Sequence, residues 1–402
     1  MERLHACETD LLDHRVRIAV VHDWLYVFGG AERVLRAILR AVPKADVYTL
    51  FDSLSPADRR RIGFETSRTS FLQRIPGIGK RHRSCLPLMP LAIEQLDLTA
   101  YDLVISSSYA VAKGVLTGPD QLHLSYVHSP MRYAWDLQHR YLSESGLSRG
   151  LKGAVARIIL HRMRLWDSRT AHGVDAYAAN SHFVARRIRK AYGRDAEVIY
   201  PPVTVAPALP KAEKGSYFLT ASRLVPYKNV RAVVEAFALL PDQRLVVAGS
   251  GPELARLQRL AGSNVEFRGF VPDAELAGLM AGASAFVYAA EEDFGIVLVE
   301  AQGHGTPVIA LGQGGARETV VTAGPNPTGL FFDTAEPGAI AGAIRGFLAR
   351  PTGFRPADCH ANALRFSEHH FDEAFRFFVR KHWAGHCNRL QAGVPVPLPA
   401  AA

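Results

Sequence analysis

Short apolar runs alternate with amphipathic helical stretches, break once at a cluster of prolines, and then resume, which restricts this chain to two α/β domains in tandem. Residues 15–22 read as a buried strand, a loop ends in Gly29-Gly30, and a helix follows over 31–41 with Val34, Leu35 and Ile38 on one face. Further strands are expected at 102–106, 122–128, 176–179 and 197–200. Pro201, Pro202, Pro207 and Pro210 then crowd a stretch that can continue neither a helix nor a central strand. Beyond it, strands are expected at 217–221, 244–248, 265–267, 285–290 and 307–310, with helices at 229–239, 253–260 and 295–302. Ser367 can cap a last helix in which Phe371, Phe375 and Phe378 form a stripe, and the Pro-rich end after Val394 reads as a frayed tail. The expected fold class is α/β, with two Rossmann-like doubly wound parallel-sheet domains. The expected boundaries are 1–200 for the first domain, 201–215 for a Pro-rich linker, 216–365 for the second domain and 366–390 for a C-terminal helix.

Composition agrees with a folded protein of two cores. A chain of 402 residues exceeds one ordinary domain, and 48% hydrophobic with 21% charged residues excludes a disordered chain or a fibrous repeat. No run reaches the 18 apolar residues a membrane-spanning helix needs, because even residues 281–290 end at Glu291 and Glu292. The first residues carry Glu2, Glu8, Asp10 and Asp13 without a long apolar stretch, unlike a secretory signal, so the expected location is the cytoplasm. Cys7, Cys85, Cys359 and Cys387 are scattered without a CxxC, which suits free thiols in a reducing compartment. His382, His386 and Cys387 lie in a helical stretch that lacks the acidic residue of the usual zinc motifs, so no metal site is expected.

The charge is unevenly placed. Residues 1–205 hold 29 Lys and Arg against 20 Asp and Glu, and the remainder holds 18 of each, so the whole net charge of +9 belongs to the first half. Between Arg59 and Leu86 eight cations are opposed only by Glu65 and are interleaved with Leu72, Ile75, Ile78 and Leu86. A second basic stretch runs over 149–190. Most charge runs are solvated faces; the sharper expectation is a surface for anionic lipid, peripheral at the inner face of the cell membrane. No helix-turn-helix, zinc or RNA-binding signature accompanies the charge, so nucleic acid is not an expected partner.

The residues with the strongest chemical signal are Glu292-Asp293-Phe294-Gly295-Ile296-Val297-Leu298-Val299-Glu300. They place one carboxylate at a strand's carboxyl end, where parallel sheets bind ligands, and another roughly 7 Å along the following helix. The amides from Phe294 to Ile296 open that helix and suit negative charge. A surface acidic loop with a salt-bridged helix glutamate is the bland alternative, disfavoured because Glu300 sits in an apolar run where an idle carboxylate is costly. Ser222-Arg223-Leu224-Val225-Pro226-Tyr227-Lys228-Asn229 likewise joins a strand to a helix, and its two cations can neutralise a diphosphate without a metal unless they are ordinary exposed charges. Gly249-Ser250-Gly251 resembles the start of a dinucleotide fingerprint, but Leu254 stands where the third glycine belongs.

Glu292 with Glu300, Arg223 with Lys228, Gly249-Ser250-Gly251-Pro252-Glu253 and Gly29-Gly30-Ala31-Glu32 together resemble the retaining GT-B glycosyltransferases of family 4, over about residues 16–378. His22-Asp23-Trp24-Leu25, Leu86-Pro87-Leu88-Met89-Pro90 and His128-Ser129-Pro130-Met131-Arg132-Tyr133-Ala134-Trp135 are similar to the subgroup that builds O-antigen and exopolysaccharide, often as mannosyltransferases. The resemblance implies two domains facing a cleft, an acceptor side in the first and a nucleotide sugar in the second, with the C-terminal helix crossing back to the first. It places Glu300 on the ribose, Arg223 and Lys228 on the diphosphate, and Glu292 with the amides of Phe294 and Gly295 on the transferring sugar. Gly249 and Gly251 belong to the same donor site. Gly29 and Gly30 would let backbone approach the phosphate. His128 would stand beside the sugar, though a histidine satisfied by core hydrogen bonds is nearly as good a reading.

The implied reaction is metal-independent hexosyl transfer with retention, from a nucleotide sugar, GDP-mannose favoured, to a saccharide or lipid-linked acceptor, with no cofactor. No Asp-x-Asp occurs in the chain. The competing readings are a non-catalytic sugar-nucleotide-binding protein of the same fold and a nicotinamide-dependent oxidoreductase.

Overall fold

A computed structural model describes residues 16–210, 213–350 and 352–392, which exclude the N-terminal residues, Cys7 and the Pro-rich end discussed above. They form two compact units, the first running to Pro202 and resuming at Phe371, the second comprising Val203–His370.

In the first unit, strands β1 (Ile18–His22), β2 (Asp46–Thr49), β3 (Arg68–Thr69), β4 (Leu103–Ser108), β5 (Leu122–Val127), β6 (Ala176–Ala179) and β7 (Glu197–Val198) make a sheet in the order β3-β2-β1-β4-β5-β6-β7. Every pairing is parallel. The central strands are buried along their whole length, which is why they read as continuous apolar runs rather than alternating ones. The helix Gly30–Ala41 covers one face with Val34, Leu35 and Ile38. The same core takes in Phe371, Phe375 and Phe378 from the helix Glu368–Ala392, whose first two rings lie edge-on to Tyr126. A two-pronged ion pair from Arg40 to Asp372, at 2.8 Å for both contacts, pins that helix to Gly30–Ala41.

In the second unit, β8 (Tyr217–Ala221), β9 (Arg244–Ala248), β10 (Val265–Gly269), β11 (Ala285–Tyr288), β12 (Val308–Leu311) and β13 (Gly329–Phe332) repeat the scheme in the order β10-β9-β8-β11-β12-β13, again all parallel. The Pro-rich stretch crosses from the first unit, which ends at Pro202, into this one, which it joins at Val203. Val203 is fully buried, its amide donates to Phe366 O at 2.9 Å, and it forms a bridge with Ser367. Both sheets reverse strand order once, between β1 and β4 and between β8 and β11. Such switch points splay the loops at the carboxyl edge and open a crevice for a ligand.

Cys85 and Cys359 are buried free thiols, but Cys387 is held in a disulfide, contrary to the expectation of free thiols. Spacing along a chain does not say which cysteines meet in space, so cysteine usage no longer supports a reducing compartment. His382 pairs with Glu197 and His386 bonds to Asp120 O, so both imidazoles have structural partners. No helix among the described residues is long and apolar enough to cross a membrane.

Candidate functional site

The second switch point gathers charge. After β8 the chain turns through Arg223 to Lys228 and passes Asn229, the one described non-glycine residue with positive φ (52°), whose side-chain amide donates to Ala289 O at 3.0 Å. That bond ties the loop after β8 to the end of β11. It brings Lys228 against Glu292, with which it forms an ion pair, both side chains being largely buried. Tyr288 at the end of β11 completes the group: its hydroxyl accepts from Lys228 Nζ at 3.1 Å and donates to Glu292 Oε1 at 2.5 Å. Burial, and then the Glu292 charge, hold that phenol well above its ordinary pKa, so it stays a donor. Glu292 thus pairs with Lys228, a contact not read from the sequence, while Arg223 reaches the group only through the effect of its charge on Tyr288. Its guanidinium stays exposed and donates to the Tyr227 hydroxyl at 2.6 Å.

The glycines have separate reasons. Gly249 and Gly251 both have positive φ, 135° and 159°, and a Cβ at either would lie 1.9 Å from Ser222 O or 2.3 Å from Leu224 O. They let the loop after β9 pack beneath the loop that carries Arg223, where Leu224 N donates to Ser250 O at 2.9 Å. Gly295 takes the left-handed conformation (φ 89°) before the helix Ile296–Gly303. Phe294 is buried with its ring edge-on to Phe366, which leaves its backbone rather than its ring for a ligand. Glu300 is partly exposed while Leu298, Val299 and Ala301 are buried, so the desolvation cost inferred from its apolar neighbours is relieved by its position on the helix. The sequence reading missed Tyr288, and also Gly314 and Gly315. A Cβ at these two would lie 2.3 Å from Glu292 O and 2.4 Å from Phe294 Cα, and Gly315 N donates to Glu292 O at 2.8 Å. Gly312-Gln313-Gly314-Gly315 after a strand is the signal that could have found them.

The first switch point is a hydrogen-bonded network. Asp23, fully buried just after β1, accepts four amides, from Tyr109 (2.6 Å), Ala110 (3.0 Å), Val111 (2.6 Å) and Ala112 (2.7 Å). It thereby fixes the turn that follows β4. His128, at the end of β5, places Nε2 2.9 Å from Ser107 Oγ, and its carbonyl accepts from Asn180 Nδ2 at 2.9 Å. Burial lowers its pKa to about 3, so it is neutral at pH 7. Gly29 is extended (φ −132°) and its amide donates to Glu32 Oε2 at 2.9 Å. A Cβ at Gly29 would meet only that carboxylate oxygen, at 3.2 Å, so the local backbone does not itself demand glycine there. Gly30 is exposed at the start of its helix. Among the described residues no group of three or more His, Cys, Asp or Glu side chains is placed to hold a metal ion.

Two all-parallel, doubly wound units in one chain, each with its polar residues gathered at a switch point, define the GT-B architecture. Residues 28–206 match the family described as Glycosyltransferase Family 4, and residues 205–365 match Glycosyl transferases group 1. The chain belongs to the GT-B glycosyltransferases of group 1 and family 4.

Anabaena Alr3699/HepE, solved in complex with UDP, superposes with a TM-score of 0.65 over 91% of this chain and 100% of its own, at 20% identity. Sucrose-phosphate synthase from Thermosynechococcus elongatus gives 0.67 over 92% and 100%, at 19% identity. At these identities the likeness is one of fold. Among curated proteins, the GDP-mannose-dependent monoacylated α-(1-6)-phosphatidylinositol monomannoside mannosyltransferase of Corynebacterium glutamicum is 31% identical over 40% of this chain and 50% of its own length. The corresponding phosphatidylinositol monomannoside enzyme of Mycolicibacterium smegmatis is 36% identical over 32% and 38%. The chain thus spans half or less of the length of these two relatives.

Proposed function

We propose that this protein is a retaining glycosyltransferase that moves a hexose, mannose from GDP-mannose, onto a lipid-linked saccharide acceptor in bacterial surface or exopolysaccharide assembly. The observation that carries this reading is the Lys228, Tyr288 and Glu292 group at the second switch point, beside the start of the helix Ile296–Gly303. Departure of a nucleoside diphosphate leaves an anion and a positively charged sugar carbon, so fixed charges of both signs at that edge stabilise both. Lys228 and Arg223 take the diphosphate, Glu292 and the backbone at Phe294 and Gly295 take the sugar, and Glu300 takes the ribose. Gly249 and Gly251 shape the loop beneath. His128, Gly29 and Gly30 are the corresponding candidate residues at the switch point of the first unit. Retention follows from same-face attack, with the leaving phosphate accepting the acceptor's proton. Two cations at the diphosphate make a divalent ion unnecessary. The names of the C. glutamicum and M. smegmatis relatives support GDP-mannose and a lipid-borne acceptor.

A thermal-shift panel with GDP, UDP and ADP tests the donor half of the proposal. GDP at 100 times its dissociation constant is expected to add about 2.7 kcal/mol of stability. An unchanged melting temperature with all three would remove the nucleotide site.

The lipid partner is an anionic membrane, but the surface for it is not the one that the Arg59 to Leu86 interleaving suggests. Leu72 and Ile78 are buried, Ile75 and Leu86 pack against the same core, and Arg59 is paired with Asp52 at 2.8 Å. The helix Gly150–Thr170 instead exposes Leu151 (81%), Val155, Ile158 and Leu165 (60%), which helical periodicity puts on one face. Lys152, Arg157, Arg162 and Arg169 are exposed on the same helix, and its sole acidic residue, Asp167, is buried against Lys113. An apolar stripe flanked by cations suits an anionic bilayer surface. The chain is expected to sediment with phosphatidylglycerol vesicles at low salt but not with neutral ones. Leu151→Ser with Ile158→Ser should weaken this more than reversing Arg60, Lys80 and Arg81. Equal binding to both kinds of vesicle would contradict the assignment.

A further inference from the structure

Four side chains at the first switch point stand in a line that ends on His128. The Ser107 hydroxyl is 2.9 Å from His128 Nε2 and 3.1 Å from His22 Nδ1. His22 is fully buried, and its other nitrogen, Nε2, has no hydrogen-bond partner but lies 3.7 Å from Glu32 Oε1. Glu32 is buried too, and its second oxygen is occupied by the Gly29 amide.

A hydroxyl has one proton, so Ser107 donates to one imidazole and accepts from the other. That leaves two arrangements for neutral rings. If Ser107 donates to His128, His22 must donate from Nδ1, and its bare Nε2 lone pair then faces the Glu32 carboxylate. If Ser107 donates to His22, the His22 proton sits on Nε2, pointing at Glu32, and His128 donates from its own Nε2. The first arrangement sets two acceptors against each other in a buried, low-dielectric place, and the second sets a donor toward a carboxylate.

We infer that Glu32, acting through His22 and Ser107, holds His128 in the tautomer protonated on Nε2, so that His128 presents Nδ1 as a hydrogen-bond acceptor. Nδ1 has no partner among the described residues, and His128 is only partly buried. The ligand group that suits it is a hydroxyl, which can donate; a phosphate oxygen, which cannot, is repelled. Glu32, His22 and Ser107 are positioning residues. The hydroxyl preference rests on the glycosyl-transfer reading, whereas the tautomer does not.

The test is a long-range proton–nitrogen correlation spectrum of the full chain labelled with 15N-histidine, recorded at about pH 8.5, where imidazoles are neutral. The His128 signals are assigned from the His128→Gln protein. Expected is a pyrrole-type Nε2 and a pyridine-type Nδ1. Glu32→Gln puts an amide that can donate opposite His22 and should move both signals toward the opposite tautomer. Ser107→Ala should give the averaged shifts of two exchanging forms. A pyridine-type Nε2 in the unaltered protein, averaged shifts there, or no change in Glu32→Gln would each overturn the inference. A transfer assay is a separate readout: an inactive protein with the expected spectrum would count against the glycosyl-transfer reading and leave the tautomer standing.

Discussion

Lys228→Ala and Glu292→Ala are each expected to leave the protein folded and to lower turnover by roughly 10² or more, the scale of losing one fixed electrostatic stabiliser. The two side chains are each other's partner, and Tyr288 bonds to both. In the proposed site a diphosphate would compete with Glu292 for Lys228, so each single substitution would remove one charge and misposition the other. Neither side chain is in the apolar core, and both sit at the sheet edge, so the fold should persist. Glu300→Ala, one helix turn and more away, should weaken donor binding instead. Steady-state kinetics on folded proteins decide it, and near-unaltered turnover in both Lys228→Ala and Glu292→Ala would remove this site.

Asp23→Ala is expected to have a large effect of a different kind, on stability. The carboxylate is buried and satisfies four successive amides of the turn after β4. Burial raises its pKa on balance, against the lowering pull of the Tyr109, Val111 and Ala112 amides and of His22, so those bonds offset only part of the cost of burying the charge. Each orphaned amide costs about 1–3 kcal/mol, so the loss should exceed about 4 kcal/mol, a large share of the stability of an ordinary domain. Asp23→Asn should also destabilise, because its NH2 would face amide donors. Urea unfolding measures this, and a change below about 1 kcal/mol in Asp23→Ala would show that water or a backbone shift replaces the carboxylate.

Apolar periodicity made most of both sheets legible, because a buried parallel strand such as Leu103–Ser108 or Arg244–Ala248 reads as one run between turn residues. Strands β2 and β3 were not read, because Asp46–Thr49 and Arg68–Thr69 are short, and Arg68 is polar and exposed. Gly329–Phe332 escaped for a similar reason, lying at the sheet's edge with two half-buried residues. At the site, the cation and carboxylate were visible as residue types beside strand ends. Their pairing was not, because it depends on Asn229 folding one loop onto the end of another strand. Tyr288 was hidden for the opposite reason: in sequence it is one more aromatic in an apolar strand. The apolar residues from Leu72 to Leu86 looked available to a membrane, and only packing shows that they serve the core.

Sugar transfer from a nucleotide donor is tested by incubating the chain with radiolabelled GDP-mannose and membrane lipid, with and without EDTA. Label is expected in the lipid extract, with an equal yield in EDTA and loss of that label in Lys228→Ala. A folded protein that releases no nucleoside diphosphate and transfers no label, from GDP-mannose or from UDP-sugars run alongside, would contradict it.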